Sequence, residues 1–399
     1  MTLAIDVFSM TTYGELSAES VVALSAEIIG RPTPNPPGNE AELVTYLVER
    51  LESSPVEFEI ETTEVKPERP NLVARAGDPA VGTLLLTGHM DTVPANADDW
   101  EHDPYELHRD GDRIVGRGTS DMKCSLAAKI LAAESYLLGD DPSGEVVLAF
   151  AIDEERGGSG TQALVAAGLE ADGAILGEPT DLNVGIAHKG AARYEITVRG
   201  KNAHSGRPDK GVNAILKIQR VIARLEAFDH EMREVRHERL TPGSSVNITE
   251  VSGGLAPNVI PATASVTVDW RFLPGMSTDP AWYDEQLERV LSDLTLDGEP
   301  IDVEIDRWDF GRAVESSTDA PVVDAVQRAA QEVGCPGEYI GFNAGTDARY
   351  LVHDANIPTA IFGPGHIERD AHTVNESIRV DDLVATARTY ERAIELFFE

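Results

Sequence analysis

The sequence predicts an α/β protein with a mixed sheet, interrupted by a second domain inserted into the first. Three observations predict it. Up to about residue 190, short apolar runs alternate with helix-period segments, the rhythm of a sheet covered by helices. Between 191 and 309 the strand-like segments switch to strict two-residue alternation, the mark of an antiparallel sheet with one buried face. After that the first rhythm returns. The chain has 399 residues, too many for one ordinary core and enough for two domains. The expected division is a discontinuous domain, 1–190 with 310–399, and an insertion, 191–309.

The elements follow in order. Val21–Ile29 and Glu40–Leu51 carry helical periodicity, Asn71–Arg75 reads as a strand, and Thr83–Thr87 (TLLLT) is a buried-strand run. Leu126–Leu138 is a helix of apolar and small residues, and Glu145–Ile152 and Gly173–Leu176 are again buried-strand runs. In the insertion, Arg193–Val198 alternates, Gly211–Leu225 is helical, and Ser245–Val251 and Ala264–Trp270 alternate. Trp282–Leu294 is helical and Ile301–Ile305 alternates. That β-α-β-β-α-β order is ferredoxin-like. Ala320–Val333 (helix), Pro358–Phe362 (buried strand) and Asp381–Phe398 (amphipathic helix) complete the outer domain.

Composition excludes several function classes. Thirty-three basic against 69 acidic residues give a net charge of −36, which opposes contact with nucleic-acid phosphates and with anionic membranes. At 42% hydrophobic residues the chain can bury a core, so the charge does not signal disorder. The basic residues divide into 7 Lys and 26 Arg; on so acidic a chain this suggests adaptation to high salt, where screening removes self-repulsion. Two cysteines, Cys124 and Cys335, make no disulfide framework and suit a reducing compartment. Met1–Met10 carries Asp6 and no basic stretch, unlike a secretory leader, and no apolar run approaches the ~18 residues of a membrane span. A cytoplasmic protein is expected.

Five segments run from an apolar stretch into residues able to hold a metal. TLLLTGHMD ends in His89 and Asp91, IVGRGTSDMK places Asp121 before a helix, and EVVLAFAIDEE ends in Asp153, Glu154 and Glu155. DGAILGEPT ends in Glu178, and IPTAIFGPG leads to AHTVNE, with His372 and Glu376. Ligands bind beyond the carboxyl ends of strands in open α/β sheets, so these residues should converge. Taken singly each has a plainer reading: Asp121 as a helix N-cap, Glu178 as a solvated strand end. Together they would bury several carboxylates at a cost of several kcal/mol per unpaired ion. Divalent cations would offset that cost, and a His/Asp/Glu set suits zinc or a close relative.

The ordered motifs GHMDTVP (88–94), GRGTSDMK (116–123), DEE (153–155), GEPT (177–180) and AHTVNE (371–376) resemble a known dizinc family. So does GKNAHSGRPDKGVNA (200–214) in the insertion. The family contains aminoacylases, glutamate carboxypeptidases, acetylornithine deacetylases and succinyl-diaminopimelate desuccinylases. The resemblance covers nearly the whole chain. It implies a dizinc hydrolase domain with an inserted lid and dimerisation domain. It implies that Asp121 bridges two zinc ions, with His89 and Glu178 completing one site and Glu155 and His372 the other; Co2+ or Mn2+ could replace zinc. Asp91 would orient His89, Glu154 would be the general base, and a cis peptide would follow Asp121. Two cations would bring the pKa of a shared water towards ~7, so that it attacks an amide carbonyl after Glu154 takes its proton. His204 would stabilise the oxyanion, from a partner subunit in dimeric members.

Substrate contacts are assigned by the same resemblance to Asn258 (APNVIP), Arg271 (DWRF) and Thr346 (AGTDAR), with Arg349 a second candidate. The alternative reading of Arg271 is a pairing with Asp269 on its own strand. Lys189 matches a family motif without a clear role. His366 competes with His372, and the AHT context favours the latter. His102 and His108 read as residues of a polar loop, His230 and His237 as residues of a charged helical stretch. ANADD, between Pro94 and Trp100, departs from the Gly-containing form common in the family and bears on specificity. The implied reaction is removal of an N-acyl group from an amino acid. Dipeptide or glutamate-type carboxypeptide hydrolysis is the alternative on the same metals, and a non-catalytic binding protein the alternative on the same fold.

Overall fold

A computed structural model of the chain describes residues 13–399. The Met1–Met10 stretch read above lies outside them. The described residues fall into two compact units. The first holds residues up to Ile186, Ser316–Ile340 and Thr346–Glu399, and the second holds Ala187–Glu315 and Gly341–Gly345.

The strands that place functional residues are β1 (Glu59–Lys66), β2 (Arg69–Gly77), β3 (Thr83–His89), β4 (Glu145–Ala151), β5 (Gly173–Leu176) and β6 (Val184–His188). They continue with β7 (Gly190–Arg199), β8 (Ser245–Gly253), β9 (Thr263–Phe272), β10 (Val303–Gly311) and β11 (Thr359–Ile361). The helices are α1 (Ala18–Ile29), α2 (Ala41–Glu52), α3 (Lys123–Leu137), α4 (Ser159–Ala166), α5 (Ala214–Met232), α6 (Pro280–Leu291), α7 (Pro321–Val333), α8 (Ala348–His353) and α9 (Val380–Phe398).

In the first unit the central sheet runs β1-β2-β4-β3-β5-β11-β6. Strands β4, β3, β5 and β11 are mutually parallel, whereas β1, β2 and β6 join antiparallel, so the sheet is mixed. Strand alternation divides the core. Leu84, Leu86, Val146, Leu148 and Phe150 face a large cluster with α1, α2, α3, α7 and α9. Leu85, Val147, Ala149 and Ala151 face a smaller cluster with Leu164 of α4 and Leu351 of α8. Helix α3 is buried on every side from Lys123 to Glu134, which is why its sequence shows no polar face. Parallel strands point their carboxyl ends the same way, so the segments after His89, Ala151, Leu176 and Ile361 leave from one edge.

The second unit is a four-stranded antiparallel sheet in the order β8-β9-β7-β10, with α5 following β7 and α6 following β9. Ala264, Val266, Val268, Trp270 and Phe272 of β9 and Tyr194, Ile196 and Val198 of β7 are buried with apolar residues of the two helices. Trp270 meets Phe228 and Tyr283 edge-on, at ring separations of 5.1 and 5.0 Å. The unit is longer than the expected 191–309, because the ladders of β7 and β10 run on to Gly190 and Gly311. Helix α5 starts at Ala214, where the Asn213 side chain accepts from the Ile215 N–H at 2.9 Å, later than the expected Gly211. It ends at Met232, so His237 lies outside it, and there its Nε2 meets Glu315 at 3.2 Å. His108, expected in a loop, begins the short strand His108–Asp110. Among the described residues no helix is long and apolar enough to cross a membrane.

Candidate metal centre

Asp121 lies between two imidazoles. Its Oδ1 is 3.0 Å from Nε2 of His89, and its Oδ2 is 3.2 Å from Nε2 of His372. The same His372 nitrogen is 3.2 Å from the Glu155 carboxylate. His89 ends β3, Asp121 immediately precedes Met122 and α3, Glu155 follows β4, and His372 lies beyond β11. The Asp121–Met122 peptide is cis. The Met122 side chain packs over Gly88, where a Cβ would fall 2.0 Å from the Met122 Cε. His372 has φ 59°, a left-handed conformation that costs a non-glycine residue of order 1 kcal/mol, held where the loop aims its ring at Asp121 and Glu155.

The electrostatics call for cations. Burial opposes protonation of His89, yet Asp121, hydrogen-bonded to it, and the charges of Glu178 and Glu154 hold its pKa well above the usual imidazole range. Hydrogen bonds to Asp121 and Glu155 push His372 up to about 10. Asp121 is held far below the carboxylate range by its bonds to His372 and His89, against the effect of burial. Glu178 is buried, and its Oε1 has no hydrogen-bond partner; burial and the Asp121 charge push its pKa well up. His89, Asp121 and Glu155 offer ligand atoms within 4.8 Å of one another. Hard carboxylate oxygens with imidazole nitrogens fit a divalent ion of the zinc, cobalt or manganese type. Two such ions would neutralise charge that this many buried carboxylates cannot hold alone.

The surrounding hydrogen bonds assign work that the motifs did not reveal. The Nδ1 of His89 meets the main-chain carbonyl of Asp91 at 2.9 Å, while the Asp91 carboxylate stands off at 3.6 Å. The expected orienting contact is therefore made by the backbone of Asp91, fixing Nε2 as the free nitrogen. Its carboxylate instead accepts from the N–H groups of Glu154 (3.1 Å) and Glu155 (3.3 Å) and from Asn35 Nδ2 (2.8 Å). Asp153 also faces away from metal chemistry: it accepts from Asn35, Arg69, Lys66 and Ser159, and against burial the bonds from Lys66, Ser159 and Asn35 hold it down to about 2. Glu376, placed among the possible ligands, is buried and accepts from Ser120 N (2.7 Å), Asp121 N (3.0 Å) and Arg117 Nη1 (2.5 Å). It braces the Asp121 loop and is not a ligand.

Glu154 is partly buried beside this cluster. Loss of water, together with the Asp347 and Glu155 charges, raises its pKa well above the carboxylate range, against the pull of His89 and Arg349. Thr346 is buried, and its hydroxyl accepts from Ala348 N at 3.2 Å. Arg349 lies over the Tyr350 ring at 4.8 Å, with its buried Nε unpartnered. Asp347, which went unnoticed in AGTDAR, accepts from Thr161 Oγ1 at 2.6 Å and leaves a buried Oδ1 unpartnered. His366 turns into its own loop, where Nδ1 accepts from Glu368 N at 3.1 Å.

The remaining candidates lie in the second unit. His204 and Asn258 are exposed neighbours: His204 pairs with Val259 across a two-residue ladder, and Ser205 N donates to the Asn258 carbonyl at 2.9 Å. Arg271 is held by Asp269 through Nε (2.6 Å) and Nη2 (3.1 Å), and Asp269 also takes Nε of Arg193 at 2.9 Å. Of the two readings of Arg271, the pairing with Asp269 is the one seen. Lys189 donates to the Pro242 carbonyl.

Comparison with known proteins adds the relatives. The model of peptidase family M20/M25/M40 matches residues 85–396. An acetylornithine deacetylase of Myxococcus xanthus is 34% identical over 365 residues, 89% of this chain and 92% of that one. A probable carboxypeptidase of Aspergillus flavus is 32% identical over 383 residues, 89% of this chain and 85% of that one. Among solved structures, aminopeptidase PepT from Bacillus cereus has a TM-score of 0.76 at 24% identity, over 96% of this chain and 99% of that one, which shows a common fold.

Proposed function

This chain belongs to peptidase family M20/M25/M40 and is a hydrolase of amide bonds; on that premise we propose that it removes the acyl group of an N-acyl amino acid with two zinc ions. The observation that carries the reading is Asp121, whose two oxygens face two different imidazoles, as a ligand shared by two ions must. Asp121 is assigned as that bridge, His89 and Glu178 as ligands on one side, Glu155 and His372 on the other. Cobalt or manganese would suit the same donors. When bound, the ions supply Lewis acidity, acidifying water and polarising the scissile carbonyl.

The chain's own groups do the rest. Glu154 is assigned to take the proton of the attacking water and return it to the leaving amine; it stands beside the ligand-type Glu155, in a turn whose N–H groups Asp91 holds. His204 is assigned to the oxyanion, from its own or a partner subunit, and Asn258, Arg271, Thr346 and Arg349 to the substrate. Arg271, neutralised by Asp269, would offer its free Nη1 as a directed donor more than as a net charge.

We assign the second unit as a ferredoxin-like lid and dimerisation domain, a reading its β8-β9-β7-β10 strand order supports. Its edge strand β8 presents Val251, and Leu255, Ile215 and Leu216 lie exposed nearby, which suits a homodimer. The net charge of −36 supports salt adaptation and a small, non-nucleic-acid substrate; two free, buried cysteines suit the cytoplasm. Peptide hydrolysis is the second reading, favoured by the Aspergillus flavus relative. A hydrolysis panel in molar KCl separates them: N-acetylornithine, N-succinyl-diaminopimelate, N-acyl lysine analogues, simple N-acyl amino acids and dipeptides. Turnover of an N-acyl amino acid well above every dipeptide is expected; the reverse order makes the chain a peptidase.

A further inference from the structure

Lys129, in the middle of α3, is fully buried and has no carboxylate within 4.0 Å of its Nζ among the described residues. Several other buried charges are matched by an opposite charge: Glu134 by Arg50, Glu40 by Arg69, Glu376 by Arg117. A methionine would fill the same space without the cost of burying an amine, so the position of the amine needs a reason.

Its neighbours supply one. Nζ donates to the Tyr390 hydroxyl at 3.2 Å and lies 4.4 Å from the centre of that ring. The Tyr390 hydroxyl donates to the Phe362 carbonyl at 2.5 Å. On its other side the amine lies against Gly177, where a Cβ would come within 2.3 Å of it. Phe362 and Gly177 are the first residues beyond β11 and β5, joined by the bond from Phe362 N to the Leu176 carbonyl at 2.9 Å. From these two strand ends leave Glu178, directly after Gly177, and the loop to His372. One side chain therefore lies against one strand end at Gly177 and reaches the other at Phe362 through the Tyr390 hydroxyl.

We propose that Lys129 is a positioning residue of the metal centre, which fixes the strand ends beneath Glu178. The proposal rests on the reading of Glu178 as a ligand. Calorimetric titration of metal-free protein with Zn2+ tests it, comparing wild type with Lys129→Met, Tyr390→Phe and Glu178→Ala. Lys129→Met should weaken one of the two zinc affinities by about 10-fold or more, in the range of other residues that orient ligands, and leave the other within about two-fold. The melting temperature of the metal-free protein should not fall. Tyr390→Phe should weaken the same affinity, and Glu178→Ala should abolish it. Two unchanged affinities in Lys129→Met, or a lower melting temperature with both affinities reduced together, would overturn the proposal. If Glu178→Ala also binds two ions normally, the ligand reading fails with it; if only Lys129→Met is normal, the ligand reading stands.

Discussion

Glu154 and Glu155 are adjacent in sequence and held in different surroundings. Glu155 reaches the His372 imidazole at 3.2 Å, whereas Glu154 has acidic neighbours and a raised pKa. One chain turn thus supplies a ligand-type carboxylate and an acid–base carboxylate. Glu154→Gln keeps the shape and removes the proton acceptor. Turnover should fall by about 10²–10⁴-fold, the usual worth of a general base, while bound zinc stays at two per chain by elemental analysis. Retained turnover would remove Glu154 from the role. The ligand-type residues were legible because each follows an apolar run within a motif. The roles of Asp91, Asp153 and Glu376 were not, because they depend on backbone N–H groups and side chains remote in sequence: Asn35, Arg69, Ser120. Spacing alone does not separate a carboxylate that binds a metal from one that holds the loop beside it.

At the scale of elements, the strand ends do the positioning, and they stay put only if the helices behind them do. Arg50 of α2 and Glu134 of α3 form a buried two-bond pair, at 2.6 and 2.8 Å, that ties these helices together. Glu134→Ala would leave an uncompensated guanidinium and should cost about 3–5 kcal/mol, read as a shift of the urea midpoint at constant slope. A loss under about 1 kcal/mol would show that the pair behaves as an exposed one. The buried strands β3, β4 and β5 were legible in the sequence as continuous apolar runs. Strand β1 (EIETTEVK) was not, because it is a mostly exposed edge strand rich in charge, the kind of sequence that protects an edge and hides a strand. The charged stretch around His237 read as helix, but it carries few apolar residues to bury and the helix stops at Met232.

For the whole molecule, the net charge of −36 is a surface property. Among the described residues only nine of the acidic side chains are buried: Glu40, Asp91, Asp121, Glu134, Asp153, Glu178, Asp347, Asp370 and Glu376. The rest repel one another across water, and the screening length shrinks from ~10 Å at 0.1 M salt to ~3 Å at 1 M. The melting temperature and activity should therefore rise together from about 0.1 to about 3 M KCl, whereas the Glu134→Ala penalty, set inside the core, should change little. Full stability and activity without salt would remove the salt-adapted reading and leave the enzyme intact. The buried carboxylates and imidazoles gathered at one sheet edge are assigned to act through metal. The direct measurement is amine release from N-acetylornithine, and from whichever panel substrate is turned over fastest, before and after chelation and then with zinc added back. Hydrolysis should vanish with the metal and return with about two ions per chain, one for each half of the proposed bridge. Hydrolysis that continues in fully chelated protein would rule out a metal mechanism.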